Sequence, residues 1–318
     1  MADDLTGFKF LAVCVVDLMI GDPRWLPHPV RLMGVIIQRY ERLTLERISS
    51  TWAKKLAGMG LAVGLPLGAF FVTKGILVWA ELVHEQFGMV IWVLLGSTTL
   101  AGRDLWGHAM RVHRELKTGS LVSARVEVGR LVGRDTVDLS EEEIVRATVE
   151  SVSENTSDGI VAPLIYLALG GPACAMAYKA ISTLDSMVGY RNDRYRDFGW
   201  ASARADDLVN WVPARLTAVA MSIAAAIRLG TGISAWKICW RDARDHPSPN
   251  SGWPEAAMAG ALGVQLGGGN VYGGVREARA RLGDRITTCS MALIPVALQV
   301  MGMAYGLLFL GIMGWVMW

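Results

Sequence analysis

Apolar residues gather into six stretches, at about residues 8–21, 56–80, 88–101, 160–181, 212–227 and 288–318, and charged segments separate them. A helix needs roughly 20 apolar residues to cross the hydrocarbon of a bilayer. Stretches 56–80 and 288–318 meet that need, whereas 8–21 and 88–101 are short. The pattern predicts an all-α integral membrane protein with about five membrane segments joined by helical loops. Stretch 160–181 is interrupted halfway by Gly170, Gly171 and Pro172. Two stubs of about ten residues around such a break would form a re-entrant hairpin, because proline and glycine end helices.

The charged segments carry their own signal. Residues 22–55, 102–159 and 230–287 hold seven, eight and seven Lys or Arg, while the short link 81–87 holds none. By the positive-inside rule the long loops are cytoplasmic and 81–87 is external. The hairpin reading places 182–211 in the cytoplasm as well. The expected organisation is a single membrane-embedded domain over 1–318, with larger cytoplasmic loops at about 22–55, 102–159, 182–211 and 230–287. One loop helix is well marked. In "LSEEEIVRATVESVSEN", Ser140 and Glu143 form a capping box, and three glutamates suit the first turn. This helix is expected to run to about Ser153 and to leave Glu154, Asn155 and Asp158 just past its end.

Composition narrows the class. The chain is 52% hydrophobic yet 19% charged, which suits a membrane protein with sizeable polar loops. A net charge of +2 gives no footprint for nucleic acid. Cys14, Cys174, Cys239 and Cys289 are isolated and read as small thiols in a reducing compartment. The first residues begin acidic, carry Asp17 in the apolar run and offer no cleavage site, so no secretory signal is expected.

Four polar clusters carry the candidate chemistry. "GDPRWLPHPVRLMG" places Asp22, Arg24, His28 and Arg31 among prolines that fix the backbone. "SENTSDG" brings Glu154, Asn155 and Asp158 to a membrane entry point. The segment 182–211 holds Asp185, Arg191, Asn192, Arg194, Asp206, Asp207 and Asn210. "RDHPSPNSGWPEAAMAGALGVQLGGGN" holds His246, Ser248, Asn250 and Glu255 ahead of a glycine-rich tract. Carboxylates with nearby amides suit Mg²⁺, which takes few protein oxygens and completes its shell with water and phosphate. Arginine forks suit phosphate oxygens, and exposed glycine N–H groups can cradle an anion. Plainer roles are open for each cluster: an interfacial loop, a capped helix end, a neutralised charged loop, and a turn at glycines 267–269 beside a satisfied histidine. Taken together, the clusters point to an enzyme that handles phosphates at a membrane face.

The stretches "DLMIGDPRWLPHPVRLMG", "ESVSENTSDGIVAPL", "YKAISTLDSMVGYRNDRYRDFGWASARADDLVNWVPARLTA" and "RDHPSPNSGWPEAAMAGALGVQLGG" resemble the CobD/CbiB family of cobalamin biosynthesis, in order and over nearly the whole chain. The N-terminal eight residues and the apolar tail depart from the family and carry none of the motifs. The resemblance implies a multispanning membrane protein, and the charge bias of the loops that carry the clusters places it in the cytoplasmic membrane with the active site expected to face the cytoplasm. The resemblance also implies an adenosylcobinamide-phosphate synthase, a ligase that joins a corrinoid carboxylic acid to aminopropanol phosphate, or a related amine, with ATP and Mg²⁺. The implied partners are those two substrates and the bilayer, with self-association or other cobalamin-pathway membrane enzymes as further partners.

Individual roles rest on side-chain chemistry and not on the resemblance. Asp22, Glu154, Asp158, Asp185, Asp206 and Asp207 are the metal candidates. Arg24, Arg31, Asn155, Arg191, Asn192, Arg194, Asn210, Arg215, Ser248 and Asn250 are the substrate or phosphate candidates. His28, His246 and Glu255 are the catalytic candidates, with either histidine as the base that takes the amine proton. Two rivals stand beside this reading: a corrinoid transporter, and a prenyl-type transferase suggested by "RADDLVN" alone.

Overall fold

A computed structural model describes residues 2–22, 28–272 and 274–316. In chain order the helices are α1 (Ala2–Ile20), α2 (Pro29–Leu45), α3 (Thr51–Val83), α4 (Glu85–Ser97), α5 (Gly102–Lys117) and α6 (Leu121–Val128). Then come α7 (Glu141–Thr156), a π-turn (Ser157–Val161), α8 (Ala162–Val188), α9 (Trp200–Val209), α10 (Trp211–Leu229), α11 (Gly232–Asp242) and α12 (Gly252–Leu262). Strands β1 (Leu266–Tyr272) and β2 (Val275–Leu282) precede α13 (Leu293–Val316). Four helical runs are long and apolar enough to cross a membrane: Thr51–Val83, Glu141–Val188, Trp211–Leu229 and Leu293–Val316. The chain is therefore an all-α membrane protein with a single small hairpin among the described residues. Four such runs among the described residues fit the sequence expectation of about five segments, and the stretches read as short, in α1 and α4, are not among them. With 13 residues, α4 spans only about 20 Å, against roughly 30 Å of hydrocarbon.

The chain divides into two compact units: residues 1–101, 162–210 and 312–318, and residues 102–161 and 211–311. In the first unit, Ile37 of α2, Leu61 of α3, Leu184 and Val188 of α8, and Phe198 form a closed core. A fully buried Phe or Leu contributes about 2–3 kcal/mol through lost water contact. α3 approaches the segment before α9 so closely that a Cβ on Gly58 would stand 1.8 Å from the Phe198 carbonyl oxygen. Its other face leaves Leu67, Phe71, Val72 and Trp79 exposed, an apolar surface suited to lipid.

The expected hairpin is present in α8. Gly170 and Gly171 leave helical geometry, and Gly171 has a φ of 68°, a left-handed conformation that favours glycine. Tyr166 and Tyr178 stack across the break with ring centroids 5.0 Å apart. Twelve residues of continuous helix would separate them by about 18 Å. The second stub therefore returns along the first. The Tyr166 hydroxyl donates to the Val209 carbonyl at 2.9 Å, and the Tyr178 hydroxyl donates to Asn210 Oδ1 at 2.8 Å.

In the second unit, Ala225 of α10, Ala235 of α11 and Ala261 of α12 form a small-residue contact that lets the three helices pack closely. α7 is a core helix and not a solvated one: Ile144, Val145, Val149 and Val152 are buried. Its capping box is formed as the sequence predicts, with Ser140 N–H donating to Glu143 Oε2 at 2.9 Å. It runs three residues beyond the expected end, so Glu154 and Asn155 lie in its last turn and Asp158 in the π-turn. The glycine tract forms a strand where a turn was expected. β1 pairs antiparallel with β2, Leu266 opposite Leu282, with an irregularity between Gly267 and Gly269. Gly267 and Gly268 have φ of 78° and 89° there. Such bulges tolerate glycine best.

Candidate functional site

The second unit gathers two carboxylates of α7 with the segment leading into α12. Glu150 and Glu154 lie one turn apart on one face of α7. Glu150 is buried and held from three sides. It accepts from Arg134 Nη1 at 2.9 Å and from the Gly267 N–H at 2.8 Å, and Arg146 Nε stands 3.7 Å away. Arg134 is also buried and donates to Asn270 Oδ1 of β1. Glu154 Oε1 accepts from the Ser251 hydroxyl at 2.8 Å. Ser248 Oγ accepts the backbone N–H groups of Asn250 and Ser251, which fixes the turn that starts α12.

Glu255 lies one turn into α12 and meets His246, with Oε1 3.7 Å from Nε2 and both side chains almost fully buried. His246 Nδ1 accepts from the Ser248 N–H at 3.0 Å and lies 3.3 Å from the Ser248 carbonyl oxygen, so either neutral tautomer finds a partner. Burial holds the His246 pKa below its ordinary value, against the pull of Glu154. Burial, reinforced by Glu150 and Glu154, raises Glu255 well above the ordinary carboxylate range; Arg279 and Arg134 oppose it. Desolvation dominates, so both groups favour their neutral forms near neutral pH.

A polar cleft of about 430 Å³ adjoins this cluster. Arg146, Arg281 and Arg285 line it, with Gly267, Gly268 and Glu142. Arg285 is paired to Glu142 at 3.0 Å on the exposed side. Arg146 and Gly267 belong both to the cleft and to the surroundings of Glu150. Guanidinium groups beside glycines of positive φ are suited to an anion such as a phosphate chain.

The remaining candidates fall as follows. Asn155 Nδ2 turns back to the Ser151 carbonyl at 2.9 Å, which makes it a helix-end contact. Asn250 Oδ1 accepts from Arg215 Nη1 at 3.0 Å. In the first unit, His28 caps α2: its Nδ1 accepts from the Val30 N–H at 3.3 Å, and its Nε2 lies 3.0 Å from Asp22 Oδ1. Arg24 lies outside the described residues, and Arg31 is exposed in the first turn of α2. Arg194 donates to Glu41 Oε1 at 2.6 Å, where Tyr195 also donates at 2.9 Å. Asn192 Oδ1 accepts from the Tyr195 N–H at 3.0 Å. Asp185 lies in the last turn of α8, and Asp206 and Asp207 in α9. Burial raises the Asp207 pKa; Arg204, 3.4 Å away, and Arg191 oppose it. Asn210 is buried beside Tyr178.

Among the described residues, no three His, Cys, Asp or Glu side chains are placed to hold a metal ion by themselves. Glu154 in the last turn of α7 and Asp158 in the π-turn are carboxylates four residues apart, oxygen donors of the type a hard cation takes. Sequence reasoning passed over Glu150, Arg134, Arg146, Arg281 and Arg285. Two signals were available: Glu150 stands four residues before Glu154 on a helix, and "VREARARL" alternates with the period of a strand.

The chain matches the family model described as "CobD/Cbib protein" over residues 10–301. "Cobalamin biosynthesis protein CobD" of Geobacter metallireducens is 50% identical over 278 residues, covering 87% of this chain and 86% of that protein. The Klebsiella pneumoniae protein of the same name is 43% identical over 317 residues, covering 98% of each. "Cobalamin biosynthesis protein CbiB" of Salmonella typhimurium is 43% identical over 300 residues, covering 94% of each. No solved structure matches the chain. On this evidence of sequence, and with the membrane helices and polar clusters in place, the chain belongs to the CobD/CbiB family.

Proposed function

We propose that this protein acts in cobalamin biosynthesis as an ATP- and Mg²⁺-dependent amide ligase, joining the propionate carboxylate of adenosylcobyric acid to aminopropanol phosphate or a related amino-alcohol phosphate. Membership of a family whose relatives are named cobalamin biosynthesis proteins supports the pathway. The single observation that carries the chemistry is the arginine–glycine cleft sharing Arg146 and Gly267 with the Glu150, Glu154, His246 and Glu255 cluster.

A carboxylate is a poor electrophile, so amide formation needs activation. In the proposed reaction, a substrate carboxylate oxygen attacks the γ-phosphorus of ATP, ADP leaves, and an acyl phosphate forms. The amine nitrogen then attacks the acyl carbon, phosphate leaves, and the amine gives up a proton. Arg146, Arg281 and Arg285 hold the phosphate chain and neutralise its charge. Glu154 and Asp158 would hold Mg²⁺, which supplies charge neutralisation on the phosphates. His246, kept neutral by burial, takes the amine proton on Nε2, while Nδ1–H donates to the Ser248 carbonyl. Glu150 locks the glycine tract through Gly267 and so positions the cleft. His28 is less suited to be the base, because capping and Asp22 engage both its nitrogens. Asp206 and Asp207 stay candidates for the metal, tested separately by asparagine substitution. The reading places the protein in the cytoplasmic membrane with this site on the cytoplasmic face.

The test is purified protein in detergent, without vesicles, supplied with ATP, Mg²⁺, adenosylcobyric acid and aminopropanol phosphate. Amide product with one ADP per amide is expected. Product formed without nucleotide, or no product from folded protein, would reject the ligase reading; uptake by vesicles without product would favour a transporter.

A further inference from the structure

The second unit has another cleft, of about 520 Å³, lined chiefly by Trp211, Trp236, Trp240, Trp253, Arg215 and Arg244. The Arg215 guanidinium lies between two rings, 4.5 Å from the Trp211 centroid and 4.8 Å from that of Trp253. Arg244 stands 5.9 Å from the Trp240 centroid. Trp240 meets Trp236 and Trp253 edge to face at 5.7 and 5.5 Å. The oxygens bound to Arg215 are all neutral: the carbonyls of Trp211 and Pro249 and the amide of Asn250. Among the described residues neither arginine makes an ion pair, whereas Arg194, Arg241 and Arg285 each hold a carboxylate. Two uncompensated guanidinium groups on an aromatic wall call for an anion with an apolar body.

The position of the cleft decides which anion. Trp211, Arg215 and Val219 follow one another at four-residue spacing from the first residue of α10, a helix of membrane length. Tryptophan belts mark the ends of such helices at the bilayer surface, and basic pockets there take lipid headgroups. Beside the cleft, Val212, Leu216, Ile223 and Ile227 leave an exposed apolar stripe along α10 that an acyl chain can follow. Free phosphate has no use for either feature, and the choline of a neutral lipid would meet rings already occupied by arginine.

We propose that this cleft binds the headgroup of an anionic phospholipid, with Arg215 and Arg244 holding the phosphate. The inference goes beyond the ligase reading and does not depend on it. Purified full chain in neutral detergent is titrated with phosphatidylglycerol or phosphatidylcholine, and bound lipid is counted by native mass spectrometry. Two arginines should favour the anionic lipid by roughly 30-fold. The double variant Arg215→Gln/Arg244→Gln should bring the ratio near unity. Should the double variant misfold, Arg244→Gln alone, at an exposed position, is expected to lose about fivefold of the preference. Equal retention of both lipids by the unaltered protein would overturn the proposal. So would a preference unchanged in folded variants, or displacement of phosphatidylglycerol by millimolar inorganic phosphate, which would mark a site for simple anions.

Discussion

Replacing Glu255 by glutamine should stabilise the protein, and the gain should grow with pH. The carboxyl is 5% exposed, has no guanidinium bonded to it, and faces Glu150 and Glu154 as well as His246. Its proton is retained in the fold above the pH at which an unfolded chain releases it, near 4.5. Between those two values the folded state binds more protons, so stability falls as pH rises. Glutamine keeps the volume and the hydrogen-bonding capacity and removes the titration. Charging a nearly enclosed carboxylate costs several kcal/mol, part of which Arg279 and Arg134 offset. A gain of about 2 kcal/mol at pH 8 follows, or roughly 4–8 °C in apparent Tm. His246 works in the opposite direction: its lowered pKa makes stability fall as pH drops below about 6.5, so the variant should keep the acid-side loss. Circular dichroism melts in detergent from pH 5.5 to 8.5 measure both limbs. A gain of the same size at every pH, or a loss that deepens with pH, would refute the buried neutral carboxyl.

Other perturbations test other links. Arg134→Ala leaves buried Glu150 without its closest cation and should cost about 3–5 kcal/mol in denaturant unfolding; a loss under 1 kcal/mol would show the pair to be dispensable. Arg146→Gln should raise KM for ATP about tenfold with a smaller change in kcat, and an unchanged KM in steady-state assays would remove the cleft from nucleotide binding. Gly58→Ala puts a Cβ against backbone, where nothing flexible can yield. About 2–3 kcal/mol should be lost, and a neutral melt would contradict that close approach. Gly171→Ala combines a left-handed φ with a 3.3 Å contact to Trp92, so a loss of about 1–3 kcal/mol is expected, accompanied by weaker Tyr166–Tyr178 stacking in near-ultraviolet dichroism.

Much of the architecture was legible from local chemistry. The capping box at Ser140 and Glu143 could be read because its donors and acceptors lie within one turn. The break at Gly170–Pro172 could be read because glycine and proline limit the backbone wherever they occur. Apolar length alone marked the membrane helices. The site was legible only in part. Glu154, His246, Ser248 and Glu255 were singled out, while their partners Glu150, Arg134 and Arg146 looked like ordinary surface charges of a solvated helix and loop. The glycine tract suggested a turn, because the pairing partner that makes it a strand follows only later in the chain.

The sequence by itself determined the membrane class, the family, the helix boundaries set by caps and breakers, and the residue types able to handle phosphate. All of these depend on composition or on neighbours within a few positions. Tertiary structure alone decided which charges are buried together: Arg134 reaching across to Glu150 and Asn270, Gly267 donating to Glu150 from 117 residues away, and His246 facing Glu255 out of water. Desolvation and pairing depend on what surrounds a group in space, and a chain's linear order does not contain that information until it has folded.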